Sequence, residues 1–388
     1  MALMSRLAVL ATAAVTAAVP VLAGLAPAAA SPGPAGSGTA AWPQFHYNAA
    51  HTGYNPLETT LGPANAPGLH ELWLASDASA GTGPGAVSIA NGRAFLGGFS
   101  PPKLWVWNAS TGAVLWKKLT DDLNESTPAV GDGRVFIESN GGILYAFGAA
   151  SGHKLWTQSI GGAVTSPALV NGVVYAAGYF TMDAFDAASG SLLWSAPLPG
   201  LVRSNPAVAA GRVFVATEAA KRNLVALDAA TGTALWSRTV GGVQLASPVV
   251  SGGTVYQCSA GELSAFGARS GTPRWSEPSN CSLDATPAVA NGVAYVSATG
   301  QPFAAYSAST GALLWTGGTA DSTFAAAPAV ANGVVYAAAG SGTIAAYDVS
   351  THALLWTSPD LGLGESAPAV VNGILYAADG GGLYAFGP

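Results

Sequence analysis

Tryptophan recurs along this chain as Trp73, Trp116, Trp156, Trp194, Trp236, Trp275, Trp315 and Trp356, at separations of 38 to 43 residues. A period near 40 residues marks a chain built by repeating one supersecondary unit, and it constrains the fold more than any compositional figure. In front of every one of these tryptophans except the first stands a run such as Ala184-Phe185-Asp186-Ala187-Ala188-Ser189-Gly190-Ser191-Leu192-Leu193-Trp194, so seven copies exist. A second signature, Pro-Ala-Val or a close variant followed by a tight turn and an apolar strand, begins at Pro128, Pro167, Pro206, Pro248, Pro287, Pro328 and Pro368. Val87 holds the proline position of the first copy, making eight starts.

Each unit reads as four short antiparallel strands, A to D. Asn91-Gly92, Asp132-Gly133, Asn171-Gly172, Ala210-Gly211, Gly252-Gly253, Asn291-Gly292, Asn332-Gly333 and Asn372-Gly373 join A to B. Such pairs accept the positive φ angles of two-residue hairpins. A looser BC turn leads to strand C, and a Thr-Gly or Ser-Gly turn opens strand D, which ends in the tryptophan. Eight such units predict an all-β fold, an eight-bladed β-propeller of four-stranded blades. Blades converge on the axis, where the Ala and Val of strand A fit. They diverge at the rim, where each of the eight indoles, from Trp73 to Trp356, is expected to fill the wedge between neighbours. The last unit stops after Leu383-Tyr384-Ala385-Phe386-Gly387 with no strand D, while Leu69 to Leu74 carries Trp73 with no strands before it. The N-terminal strand is therefore expected to complete the C-terminal blade and close the ring, leaving no sheet edge between the ends.

The organisation expected is a signal peptide over residues 1–30, a Pro/Gly linker over 31–41, an aromatic N-terminal extension over 42–68 and the propeller over 69–388. Arg6, the apolar Leu7 to Ala23 and Ala28-Ala29-Ala30 ahead of Ser31 have the form of an export signal. A secreted, extracellular or cell-envelope location follows, without membrane insertion once the signal is cleaved. No cysteine follows the signal to carry a lipid anchor. The extension, from Trp42-Pro43-Gln44-Phe45-His46-Tyr47 to Gly53-Tyr54-Asn55-Pro56, is too aromatic for a free tail and is expected to lie across the propeller, covering part of a face. With 14 basic and 20 acidic side chains in 388 residues and a net charge of -6, the chain has no basic footprint for nucleic acid.

The run Ala226-Leu227-Asp228-Ala229-Ala230-Thr231-Gly232-Thr233-Ala234-Leu235-Trp236 resembles the tryptophan-docking repeat of the quinoprotein dehydrogenases, the PQQ-like β-propellers, a superfamily that also includes the outer-membrane assembly lipoprotein BamB. The resemblance covers roughly residues 69 to 388. It implies the propeller fold and, for the enzymes, PQQ at the centre of the ring against a tryptophan, with Ca2+, a catalytic Asp and a disulfide of adjacent cysteines.

Among chemical signals, Cys258 and Cys281 are the two cysteines present. In an exported chain they read as one disulfide, because BC turns and DA connections share a face of the ring. The histidines His46, His51, His70, His153 and His352 form no metal-ligand pattern, and Ser151-Gly152-His153-Lys154 is a CD turn rather than a catalytic motif. Three residues before the strand A proline, blades two, four, six and eight carry Glu125, Arg203, Asp284 and Glu365. The other four blades have Pro84, Val164, Leu245 and Ala325 there. A ring would set these four charges on one face around the axis, where they could hold a cation or polar ligand. Solvated loop charges, or an Arg203 paired with a neighbouring acid, are the alternative.

Three functions follow. The first is a secreted, non-catalytic binding scaffold, acting as a monomer without cofactor on a protein, glycan or small ligand. The second, implied by the resemblance, is a PQQ- and Ca2+-dependent dehydrogenase of alcohols or sugars, with Asp284 or Glu125 as base and Glu365 as a metal ligand. The third is a BamB-like envelope-assembly scaffold.

Overall fold

The protein is described by a computed structural model covering residues 41–76, 85–99, 101–162, 165–218, 223–241, 246–259, 261–279, 281, 286–297, 303–318, 326–338, 342–362, 366–378 and 382–388. The candidate signal over 1–30 and the linker up to residue 40 lie outside the described residues. No helix among the described residues is long and apolar enough to cross a membrane.

Eight antiparallel sheets are present, one per repeat. Blade 3 is representative, with strands Ala168–Val170, Val173–Ala177, Thr181–Asp186 and Leu192–Pro197 in that order from axis to rim. The A strands of successive blades touch one another, and that of blade 8, Ala369–Val371, touches that of blade 1, Ser88–Ala90, so the ring is closed. Closure is made as the repeat pattern requires. His70–Ala75 is the outer strand of blade 8, with Trp73 opposite Ala385 and Leu74 opposite Tyr384. Inner strands are almost wholly buried and small, as at Ala129, Ala207, Ala288, Ala329 and Ala369, because eight of them meet around one axis. The Asn-Gly class of AB turns carries positive φ at both positions, for example 49° at Asn171 and 75° at Gly172.

At the rim, every D strand contains the same irregularity. Its register against strand C slips by one residue at the position before the tryptophan, at Leu155, Leu193, Leu235 and their equivalents in all eight blades. A β-bulge of this kind re-aims the next side chain. Here it leaves Leu155, Leu193 and Leu235 exposed at the perimeter and turns the indole toward the following blade. The indole N–H of five blades then donates to a carbonyl of the next: Trp116 to Ala149, Trp156 to Ala187, Trp194 to Ala229, Trp236 to Ala268 and Trp275 to Ala308, at 3.0–3.2 Å.

From Trp73 to Trp275, each ring also lies on the CD turn of the next blade, where a glycine leaves room for it. The last two indoles depart from this common docking. In blade 7 the turn glycine is replaced by His352, whose imidazole stacks on Trp315 with centroids 4.6 Å apart. Trp356 faces blade 8, whose C and D strands come from opposite ends of the chain, so no CD turn exists for it to rest on. Its ring instead meets Phe386 edge-on with centroids 5.3 Å apart. The 3-10 turn Ala66–Gly68, just ahead of the N-terminal strand, packs against Leu354–Thr357 in place of the missing turn. Trp356 thus packs against a different partner from the other indoles, because the ring is closed at that seam.

This docking predicts a difference between two glycines of one blade. Gly211 and Gly232 both have φ near +70°, but a Cβ on Gly211 meets nothing, whereas one on Gly232 would stand 2.6 Å from the Trp194 ring. Gly211→Ala should lose only the roughly 1 kcal/mol of left-handed backbone strain. Gly232→Ala should lose about 2 kcal/mol more by displacing the indole. Denaturant unfolding of both variants checks this, and equal losses would mean the indole is not docked there.

Candidate functional site

In a propeller blade the inner strand pairs on one side only, so the amide of its middle residue points at the axis. In this chain the aromatic extension takes up those amides in blade order. The N–H groups of Ile89, Val130, Val250, Val289 and Val330 donate to the carbonyls of Trp42, Pro43, Ala50, Thr52 and Gly53 at 2.7–2.8 Å, and that of Val208 donates to Ala49. Leu169 N–H donates to the Gln44 side chain at 2.9 Å. In blade 8 the polarity reverses, Asn55 Nδ2 donating to the Val370 carbonyl at 2.8 Å. Tyr54–Asn55 also pairs in parallel with the inner strand of blade 7. Residues 42–55 thus lie in the hub. Only the stretch that follows crosses a face, where the Glu58 carboxylate accepts from Gly373 N–H in the AB turn of blade 8.

Two imidazoles are enclosed with the extension. His46 faces the carbonyl oxygens of His51 at 2.7 Å and Pro328 at 2.8 Å, and His51 Nδ1 faces that of Pro248 at 3.0 Å. Two carbonyls around one ring suit an imidazolium. Complete burial outweighs them, pushing His46 down to about 4, and burial with the neighbouring His46 pushes His51 down to about 3.

On the side toward the DA connections runs a second ring of bonds. In five blades the residue that precedes the Pro-Ala-Val position donates its N–H to the side chain at the same position in the next blade. The series runs from Ala86 to Thr127, Thr127 to Ser166, Ser166 to Asn205, Asn205 to Ser247 and Ser247 to Thr286, at 2.6–3.2 Å. Blades 7, 8 and 1 place alanine there, and Ala327, Ala367 and Ala86 form a buried apolar cluster. Beyond this belt stand the charges that the sequence sets around the axis. Glu125 is half-buried, and its carbonyl lies against Gly85 of blade 1. Arg203 is exposed and its Nε lies 3.8 Å from the Glu218 carboxylate of its own blade. Asp284 and Glu365, like Pro84, Val164, Leu245 and Ala325, lie outside the described residues. Cys258 and Cys281 are joined by a disulfide, with Cα atoms 5.8 Å apart. No group of three or more His, Cys, Asp or Glu among the described residues is placed to hold a metal.

Neither the hub contacts nor the belt is marked by a motif. The belt had a signal, the Ser, Thr or Asn preceding five consecutive strand A prolines. The hub contacts are made chiefly by backbone and left none beyond the aromatic content of the extension.

Two outcomes follow from the hub. Deleting residues 41–56 should uncover the inner edges of all eight blades. At about 1 kcal/mol net per bond, melting should fall on the order of 10 °C, with aggregation on heating. Acid should act through the histidines. The unfolded chain takes up their protons near pH 6.5 and the folded hub only near pH 4 and 3, so stability is full above 6.5 and falls as the pH drops below it. The loss is about 1.4 kcal/mol per pH unit for each ring. Denaturant midpoints between pH 7 and 4 measure it, and wild type should lose stability more steeply than His51→Gln by one ring's share.

The family description "outer membrane protein assembly factor BamB" matches residues 35–165, 141–280 and 259–388. No curated protein matched the sequence. Among solved structures, BamB from Moraxella catarrhalis is 16% identical, with 82% of this chain and 99% of that one covered and a TM-score of 0.66. A europium-containing methanol dehydrogenase is 14% identical over 88% of this chain and 89% of that one, with a TM-score of 0.73. The computationally designed Ika8 protein is 19% identical over 81% and 98%, with a TM-score of 0.68. An assembly factor, an enzyme and a designed chain share this architecture, so likeness at this level carries the fold and not the chemistry. With the family description spanning nearly the whole propeller in three overlapping matches, the chain belongs to the PQQ-like β-propeller family described under outer membrane protein assembly factor BamB.

Proposed function

We propose that the chain is an exported, non-catalytic scaffold that binds a protein partner on the face formed by its BC turns and DA connections. One observation carries this reading. The BC turn of blade 3 holds Tyr179 and Phe180, 45% and 58% exposed, next to the exposed Arg203. The turn is pinned, since Val202 N–H donates to the Tyr179 carbonyl and Leu198 N–H to that of Phe180, both at 2.8 Å. Exposed aromatics and arginine are the side chains enriched at protein interfaces. A turn already held by backbone bonds loses little freedom when a partner covers it.

The hub bears on the alternative, a PQQ-dependent dehydrogenase. A planar tricarboxylate at the axis would need N–H or cationic donors around it. The inner-strand amides of blades 1 to 7 already donate to the extension, and Arg203 is paired with Glu218. The described residues therefore do not fit that cofactor. The BamB-like alternative, assembly work in the envelope, is one form the scaffold role could take.

Cross-linking on the native cell surface tests the proposal. The wild-type chain should capture a discrete partner, and the Tyr179→Ser, Phe180→Ser double variant should lose it with its melting temperature unchanged. Added PQQ and Ca2+ should produce neither a PQQ-dependent rise in melting temperature nor dye-linked oxidation of alcohols or sugars. A PQQ-dependent rise would overturn the reading in favour of the dehydrogenase.

A further inference from the structure

One interface between blades departs from the other seven in the columns of the repeat. The residue two after the strand B aromatic is Gly97, Ala177, Ala216, Cys258, Ser297, Ala338 or Ala378 in seven blades and Glu138 in blade 2. The residue two before the last aromatic or leucine of strand C is Trp105, Tyr145, Val225, Ser264, Ala304, Ala345 or Tyr384 in seven blades and Asp183 in blade 3. Phe136 and Phe185 belong to the same core between blades 2 and 3. Alternate residues of a strand share a face, so Glu138 and Asp183 turn into that interface from opposite sides, at its end nearest the BC turns.

Both acids are buried, Glu138 at 1% exposure and Asp183 at 7%. Thr165, in the connection between the two blades, donates to Glu138 Oε2 at 2.6 Å. Asp183 accepts from Thr181 at 3.2 Å and from Ser195. Glu138 Oε1 is fully enclosed and has no hydrogen-bond partner. No described Lys, Arg or His compensates either charge. Burial raises both carboxyls above their usual range, Glu138 strongly, and the Asp183 charge pushes it further. Two uncompensated buried carboxylates are strongly unfavourable, and the interface must supply either protons or a cation.

We propose that Glu138 and Asp183, with the Thr165 hydroxyl, hold one Ca2+ ion between blades 2 and 3. The donors are all oxygen, which selects a hard cation over zinc or copper. They come from two separate blades and a connection rather than from a compact cage, which suits the flexible coordination of Ca2+ better than the strict octahedron of Mg2+. Two carboxylates, completed by carbonyls and water, set an affinity like that of extracellular modules, with Kd about 0.1–1 mM. The ion ties the blades together beside the Tyr179-Phe180 turn, which runs directly into Thr181–Asp186. The site stands whether or not that turn binds a partner.

The test is thermal melting of the full chain at pH 7.5, first in EDTA and then through a CaCl2 titration, with calorimetry for stoichiometry. Wild type should melt about 1–3 °C higher in 5 mM CaCl2 and bind one ion. Glu138→Gln should melt higher than wild type in EDTA, because the amide removes a buried charge, and should gain nothing from Ca2+. Should that variant fail to fold, Asp183→Asn is read the same way. Glu125→Gln, in the connection that leads into the inner strand of blade 2, should keep the wild-type rise. No rise in wild type, or an equal rise in Glu138→Gln, overturns the proposal.

Discussion

Eight strand edges point at one axis, and each carries an amide that its own blade cannot pair. Left unmade inside a protein, such a bond costs about 1–3 kcal/mol, more than a made bond contributes. Closing the ring removes the edges between its ends but does nothing for these inner ones. The chain answers with its own N-terminal extension, which visits the blades in order and bonds to every inner strand between Ile89 and Val370. The propeller is therefore a closed ring with a filled hub. That filling limits what the axis can offer a ligand and shifts attention to the faces.

The rim is governed by a different device. A bulge before each tryptophan turns the indole out of its own sheet and onto the next, where an N–H bond and a turn with no side chain in the way lock the two blades, as at Trp194. The arrangement tolerates exceptions because other contacts can replace the turn. His352 stacks on Trp315, and Trp356 at the seam of the ring leans on Phe386. The bulge leaves Leu155, Leu193 and Leu235 exposed at the perimeter.

The architecture was legible in the sequence because its determinants repeat. Trp at a 40-residue period, two-residue turns ending in glycine and Pro-Ala-Val-like starts each appear seven or eight times, and the unmatched Trp73 and Tyr384 segments announce their pairing. What that pairing does to Trp356 was not legible, since the turn it lacks is missing only because two distant segments share a blade. The hub was hidden too, since residues 42–55 act mainly through carbonyl groups that every residue possesses, and such contacts leave no motif. Four charges around the axis were visible as a column. Of the two described, Arg203 turns to Glu218, a strand B residue outside that column. Glu138 and Asp183 escaped for the opposite reason. They stand in different columns, and only the shared inter-blade core that holds Phe136 and Phe185 brings those columns to one interface.

A repeated unit carries no information that distinguishes one blade from another, so specificity has to sit where the repeat is broken. Among the described residues one sector holds several such breaks. Glu125, Glu138, Tyr179, Phe180, Asp183, Arg203 and Glu218 all belong to blades 2 to 4 or the connections that enter them, while the extension crosses the opposite face at blade 8. Blades 2 to 4 also carry an unbroken stretch of the polar belt, through Thr127, Ser166 and Asn205. That belt holds the connections at fixed spacing beneath the exposed turn. The sector presents charge and aromatic surface on connections that the inter-blade bonds hold in place.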